Sequence, residues 1–372
     1  MKILIIGGHL SPALSVIDSI PKDWKVLFAG RKYVFEGEKS LSLEYKTINS
    51  LNIPFEEIST GRLQRKFSKN TISSLLKLPL GFLKAAAILR KFKPDVILGF
   101  GGYLQVPIVI ASFFLKIPVV LHEQTLESGF ANKICSSIAR KICISWESSF
   151  KFFPKKKTVL TGNPIRKEIV EDSSSGFKTE KSNSGLPIIY VTGGSSGSHF
   201  INILIEDLIQ KLLINFKVIH QTGDSHIYND YDRFYNLYTK LPKEFKKNYS
   251  LHKFINPSEI GKILKKAEFA VSRSGINTIT EFIYTKKPAI LIPLPFSQNN
   301  EQFKNALFLE KLGLAKIILQ KEATAQVLLS AINSMHESID GYRKNSANLK
   351  NLIKEDAADK IIEIVKKCVL KN

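Results

Sequence analysis

The stretch PIIYVTGGSSGSHFIN, residues 187–202, changes character at one point. Ile188 to Thr192 is a continuous apolar run, which suits a strand buried on both faces rather than one with a wet side. Gly193 and Gly194 then permit a tight turn that larger side chains would obstruct, and a helical pattern follows. Such junctions build doubly wound α/β sheets, in which ligands settle beyond the carboxyl ends of the strands. The chain repeats the unit. Ile3–Ile6 runs into Gly7-Gly8-His9, Val96–Leu98 leads to Gly101-Gly102-Tyr103, and Phe269–Ser272 passes through Arg273-Ser274-Gly275 into a helix over Ile276–Thr285.

Outward from these junctions the same alternation continues. Lys25–Ala29, Val119–Leu121, Ile142–Ile144 and Thr158–Leu160 read as further strands of a first half, with helices over Pro12–Ile20 and Thr71–Phe92. Asp172 to Gly185 (DSSSGFKTEKSNSG) has no core-forming pattern and reads as a linker or loop. Beyond it, Lys217–His220, Ser250–Phe254, Ala289–Ile292 and Ala315–Ile318 supply a second set of strands, and Asp356–Leu370 an amphipathic helix. With 372 residues against about 150 for a typical domain, the expectation is an α/β protein of two Rossmann-like doubly wound domains facing a cleft. The boundaries fall at 1–164, 165–350 and a C-terminal helical segment 351–372 that packs back on the first domain.

Composition narrows the function classes. With 44% hydrophobic residues the chain can bury sizeable cores, which excludes disordered and fibrous classes. Cys135, Cys143 and Cys368 are odd in number and lack CxxC spacing, so neither a disulfide framework nor a zinc site is expected. The apolar run after Met1-Lys2 is too short for a signal-peptide core, and Leu104–Leu121 is interrupted by Gln105, Pro107, Lys116 and Pro118, so it reads as helix then strand, not as a membrane span. A cytoplasmic protein with at most surface contact to a membrane is expected. Lys and Arg number 54 against 33 Asp and Glu, and the net charge of +21 calls for an anionic partner: nucleic acid, an acidic membrane or a phosphorylated substrate.

The turns favour phosphate, since helix N-termini present free N–H groups to anions. None carries GxGxxG, and no GxxxxGK[ST] occurs, so dinucleotide and P-loop chemistry lose ground. At this point the segments GGHLSPALSV (7–16), LGFGGYLQVP (98–107), PVVLHEQTLESGFANK (118–133), TGNPIRKEI (161–169), VTGGSSGSHFIN (191–202), HQTGD (220–224) and SRSGINTITEFIYTKKPAILIPLPFSQNNEQFKNA (272–306) together resemble the MurG family. The resemblance implies a GT-B glycosyltransferase. It implies transfer of GlcNAc from UDP-GlcNAc to the MurNAc 4-hydroxyl of lipid I, forming lipid II, by inverting displacement with no metal and no cofactor. By the same resemblance the donor positions are Asn132, Arg166, Ser195, Ile255, Ile276, Asn277, Thr278, Ile279, Thr280, Glu281 and Gln302. Glu281 is placed to accept from the ribose hydroxyls, and Arg166 with the helix N-termini to stabilise the leaving diphosphate.

His9 is the candidate general base: after Gly7-Gly8 and before Pro12, it starts a helix and would aim an imidazole into the cleft. Glu123, at the end of another strand, is the competing catalytic residue, or else a buried carboxylate capping the adjacent loop. Gly7, Gly8, Gly101, Gly102 and Tyr103 form the expected acceptor-diphosphate loops. The chain departs from the family pattern in a first loop about three residues short of GGTGGH, and in Gln105, Thr125, Ser198 and Asp224 in place of serine, asparagine, alanine and lysine. Residues 1–163 hold 24 Lys and Arg against 11 acids, and Ile58 to Pro94 has no acid at all. Its cations Arg62, Arg65, Lys66, Lys69, Lys77, Lys84, Arg90, Lys91 and Lys93 are interleaved with Phe67, Leu75, Leu76, Leu78, Leu80 and Phe82, a composition suited to an anionic inner-membrane surface. Peripheral attachment at the cytoplasmic face follows. Nucleic acid drops out as a partner, because no RNP, zinc-finger or helix-turn-helix pattern accompanies the charge. Another lipid-linked acceptor, or a UDP-sugar-binding relative without transfer activity, remains the alternative.

Overall fold

The computed structural model describes residues 1–33, 41–58, 69–173, 185–194, 197–225, 227–346, 349 and 352–370, the side chains of 69–78, 172–173 and 298 excepted. The chain divides into two compact units, Met1–Arg166 with Lys354–Asn372, and Lys167–Ile353.

The first unit is a seven-stranded parallel sheet in the order β3-β2-β1-β4-β5-β6-β7. Its strands are β1 (Lys2–Ile6), β2 (Lys25–Gly30), β3 (Phe55–Glu57), β4 (Val96–Gly99), β5 (Val119–Glu123), β6 (Lys141–Ile144) and β7 (Thr158–Leu160). Between them run α1 (Leu10–Asp18), α2 (Leu43–Ser50), α3 (Lys69–Phe92), α4 (Gln105–Phe114) and α5 (Phe130–Cys135). The apolar runs read as doubly buried strands are so: Leu4 and Ile6 face a core with Ala85, Leu89 and Val109 of α3 and α4, while Ile3 and Ile5 face the opposite one. β3 is the strand the sequence does not announce. Three half-buried residues at a sheet edge, two of them glutamates, carry too little apolar pattern to read.

The second unit begins with α6 (Lys167–Ser173) and holds six parallel strands in the order β10-β9-β8-β11-β12-β13. They are β8 (Ile188–Thr192), β9 (Lys217–Gln221), β10 (Tyr249–His252), β11 (Phe269–Ser272), β12 (Ala289–Leu291) and β13 (Ala315–Ile317). The helices are α7 (His199–Asn215), α8 (Asp230–Lys240), α9 (Lys243–Lys246), α10 (Pro257–Lys266), α11 (Ile276–Tyr284), α12 (Glu301–Lys311), α13 (Ala325–Glu337) and α14 (Ile339–Ser346). Local chemistry starts several of them: Ser198 caps α7, and Asn256 caps α10 with Pro257 in its first turn. The last helix, α15 (Ala357–Leu370), returns to the first unit, where Ile361, Ile362 and Val365 join Ile3, Ile5 and Val96 in one core. Each such fully buried side chain contributes roughly 1.5–3 kcal/mol.

Both strand orders reverse direction at one place. In the first unit it lies between β1 and β4, in the second between β8 and β11. These switch points, where neighbouring crossovers go to opposite faces, leave a crevice at the carboxyl ends of the two strands.

Candidate functional site

At the first switch point two glycine turns touch. A Cβ on Gly8 would lie 2.4 Å from the Gly101 carbonyl oxygen, and one on Gly102 would lie 3.3 Å from the Gly8 Cα. Gly101 and Gly102 have φ of 83° and 76°, so both need glycine for conformation, and Gly102 for space as well. His9 follows directly as the N-cap of α1, half-buried, with Nδ1 3.0 Å from the Phe100 carbonyl oxygen. A carbonyl can only accept, so Nδ1 carries the proton. In the neutral ring Nε2 is then the basic nitrogen, which is the tautomer a general base at this position requires.

Beneath the Gly101-Gly102 turn runs a buried polar chain. The Gly101 N–H donates to Gln105 Oε1 at 3.0 Å, Gln105 Nε2 donates to Asn132 Oδ1 at 2.6 Å, and Asn132 Nδ2 donates to Glu123 Oε2 at 3.0 Å. Glu123 also receives the Gly129 N–H on Oε2, and both the N–H and the hydroxyl of Thr125 on Oε1. Asn132 gives its second proton to the His122 carbonyl. Glu123 is fully buried and spends both oxygens on the 124–129 loop and on Asn132. The departures at Gln105 and Thr125 are therefore members of one network. His122, also fully buried beside Phe100, is held well below its ordinary range, at about 4, chiefly by loss of hydration. A further acid, Glu44, lies against the first turn. Its carboxylate takes the Arg31 N–H at 3.0 Å and a Gly8 backbone hydrogen bond, and burial raises its pKa. Tyr103 stands half-buried, with Arg31 5.9 Å from its ring centre.

At the second switch point, Gly194 (φ 85°) and Gly275 have nothing within 4 Å of an added Cβ, so there is room beside both turns. Ser195 lies outside the described residues. Gly275 starts α11 without a side-chain cap, leaving its first N–H groups without one. Along that helix Ile276, Ile279 and Thr280 are buried, and the Thr280 hydroxyl bonds back to the Ile276 carbonyl. In the rest of the 276–281 run Asn277 and Thr278 are half-buried and Glu281 is buried, at 8% exposure. Gln302, in the first turn of α12, takes the Leu294 N–H on Oε1 at 3.0 Å, and its carbonyl accepts from Ser274 Oγ at 2.7 Å. It ties the 294–297 loop to the turn after β11. Ile255 is buried just past β10, and Arg166 is half-buried at the end of the first unit.

Two features escape a reading of the sequence. Arg273, 9% exposed, donates from Nε to the Ser198 hydroxyl at 3.0 Å and from Nη1 to the Ile292 carbonyl at 2.9 Å. Its position beside Gly275 was the available signal. On the first unit, Leu80 and Leu83 of α3 and Ile110, Phe113 and Phe114 of α4 are exposed, with the Phe82 ring edge-on to Phe114 at 6.0 Å. Phe113 and Phe114 end the apolar helix α4. Arg62, Arg65 and Lys66 of the acid-free stretch lie outside the described residues, as do the side chains of Lys69 and Lys77. Among the described residues no cluster of metal-binding side chains occurs, and no helix is long and apolar enough to cross a membrane.

Residues 6–144 match the N-terminal domain of glycosyltransferase family 28 and residues 188–361 its C-terminal domain, which makes the chain a two-domain glycosyltransferase. The UDP-N-acetylglucosamine–N-acetylmuramyl-(pentapeptide) pyrophosphoryl-undecaprenol N-acetylglucosamine transferase of Clostridium tetani is 31% identical over 98% of both chains. That of Clostridium botulinum strain 657 is 32% identical over 98% of this chain and 99% of its own. The chain belongs to this family, the MurG transferases. Its fold is that of Acinetobacter baumannii MurG, at a TM-score of 0.69 and 23% identity over 99% of this chain and 100% of that one. It is shared with a UDP-GlcNAc 2-epimerase of Neisseria meningitidis bound to UDP-GlcNAc, at a TM-score of 0.65, 16% identity and full coverage of both chains.

Proposed function

We propose that this protein transfers GlcNAc from UDP-GlcNAc to the 4-hydroxyl of MurNAc in lipid I, releasing UDP and forming lipid II. The family and the curated names of its relatives support the substrates. The observation that carries the chemistry is the hydrogen bond from His9 Nδ1 to the Phe100 carbonyl. It leaves Nε2 to take the proton of the acceptor hydroxyl as that oxygen attacks the anomeric carbon. The bond from that carbon to the β-phosphate oxygen breaks, its electron pair leaves with UDP, and the configuration inverts.

Glu123 takes a positioning role in this reading. Its oxygens already serve the Thr125, Gly129 and Asn132 donors, so it holds the Gln105–Asn132 chain under the glycine turn and leaves proton transfer to His9. Donor binding falls to the second unit: Glu281 for the ribose hydroxyls, Gln302 with Asn277 and Thr278 for the sugar, Ile255 beside the base, and the N–H groups after Gly275 for the diphosphate, with Arg166 and Ser195 joining them. Gly7, Gly8, Gly101, Gly102 and Tyr103 face the acceptor diphosphate. The exposed apolar residues of α3 and α4, with Lys84, Arg90 and Lys116 on the same helices and just beyond, dock on an anionic membrane at its cytoplasmic face, where each cation near the surface adds about 1 kcal/mol. The test is to mix the protein with UDP-GlcNAc and a lipid I analogue. UDP release that requires the acceptor is expected; release at the same rate without it refutes the transfer.

A further inference from the structure

Among the described residues two cations are buried, Arg273 and Lys287. Lys287 lies just before β12, at the amino ends of the strands, where it donates to the Ala267 carbonyl and burial brings its pKa down to about 7. Arg273 sits at the opposite edge, where a ligand of this fold belongs. It follows β11, and its bond to Ser198, the cap of α7, spans the crevice between the turns after β8 and β11. Its hydrogen-bond partners are neutral oxygens, its guanidinium lies 5.6 Å from the centre of the Phe200 ring, and among the described residues no carboxylate lies in ion-pair reach. Burial is the cause acting on it, lowering its pKa to about 10, so it stays charged. A charge taken out of water with only neutral partners is unfavourable unless an anion completes the arrangement. Among the described residues Nη2 has no hydrogen bond, and nothing lies within 4 Å of a Cβ added at Gly194 or Gly275.

We infer that Arg273 is the buried counter-cation of the nucleotide diphosphate, a binding residue of the second unit in addition to that unit's helix N-termini. The inference rests on the reading of that unit as the UDP-sugar site. Ser198 and the Ile292 carbonyl fix the guanidinium so that its free edge meets phosphate oxygens, and the bound anion in turn offsets the burial. The charge is present before the ligand arrives, so little reorganisation accompanies binding.

Binding of UDP and of uridine to the full-length protein, measured by calorimetry, separates this from a scaffolding role. Arg273→Gln keeps a hydrogen-bond donor and removes the charge. UDP affinity is expected to fall roughly ten- to hundredfold and uridine affinity less than threefold. Arg273→Lys should recover part of the loss for UDP alone. Equal losses for the two ligands, or none for UDP, would overturn the inference. Wild-type protein that binds neither ligand would instead overturn the donor-site reading. Should the variants fail to fold, the Arg273 Nε–H resonance of wild-type protein answers the question. It should shift on saturation with UDP and stay fixed with uridine, and an unmoved resonance with UDP bound counts against the assignment.

Discussion

Replacing Glu123 with glutamine separates a carboxylate that moves protons from one that holds a loop. The structure gives each oxygen two donors: the N–H and hydroxyl of Thr125 at 3.1 and 2.6 Å on Oε1, and the Gly129 N–H and Asn132 amide at 2.8 and 3.0 Å on Oε2. Glutamine has one acceptor oxygen, so one pair must face an NH2 group. The less costly orientation turns the NH2 toward Thr125, whose hydroxyl can send its proton to the Glu127 carbonyl and accept from the new amide. The Thr125 N–H is then buried without a partner, at about 1–3 kcal/mol. The two surviving bonds lose charge assistance, worth about half their strength. A total near 3 kcal/mol follows, which for a unit of this size lowers Tm by roughly 6–12 °C. Thermal unfolding measures that, and acceptor-dependent UDP release at 20 °C measures turnover on folded protein. A substantial drop in Tm with turnover reduced less than tenfold is expected. Unchanged Tm with turnover down a hundredfold or more would make Glu123 the base and refute the reasoning.

His9→Ala should show the converse, with turnover reduced by about 10²–10⁴ and UDP affinity unchanged; wild-type turnover would remove His9 from the chemistry. Gln105→Leu strands the Gly101 N–H and the Asn132 Oδ1 in a buried site. A loss of roughly 2–4 kcal/mol is expected, and a denaturation midpoint matching wild type would show that the chain of bonds is dispensable. Leu83→Ser combined with Phe113→Ser and Phe114→Ser should reduce sedimentation with anionic vesicles while leaving UDP binding intact, and undiminished sedimentation excludes this face. For pH, His122 and His220 are both fully buried and held down at about 4 and about 3, chiefly by desolvation. Their folded pKa values lie below the unfolded value near 6.5, so the unfolded chain takes up protons first. Stability is complete above about pH 6.5 and declines on acidification toward pH 4, by up to about 1.4 kcal/mol per unit for each histidine. A Tm that does not move between pH 7.5 and 5 contradicts this.

How far the sequence can be read follows from the range of the interactions involved. The parallel strands other than β3 are visible because burial on both faces requires runs such as Ile3–Ile6 and Ile188–Thr192, a property local to each run. The turns are visible for a similar reason, since Gly8 must approach the Gly101 carbonyl and larger residues cannot. The duties of Glu123 are not local. Its donors come from positions 125, 129 and 132, and only the path of the following loop brings them onto one carboxylate. Exposure of Phe113 and Phe114 depends on which neighbours cover the end of α4, where Phe114 meets Phe82 of α3, and no periodicity inside α4 contains that information.

The two switch points are built alike and loaded differently, which bears on the net charge of +21. In each, a side chain from the turn after one strand bonds across to the turn after the neighbouring strand: His9 to Phe100 in the first unit, Arg273 to Ser198 in the second. A permanent cation suits a site that must hold a diphosphate, because charge present before binding needs no rearrangement. The same cation beside an attacking hydroxyl could accept no proton, whereas an imidazole with Nδ1 committed to a carbonyl retains a basic nitrogen. Under the proposed function, the division of labour between the units would rest on which side chain closes the crevice, and hardly on the total of 54 Lys and Arg. Exchanging arginine and histidine between positions 9 and 273 should then abolish turnover even where both units fold, and a doubly exchanged protein with measurable acceptor-dependent UDP release would show that position, and not the side chain, assigns the roles.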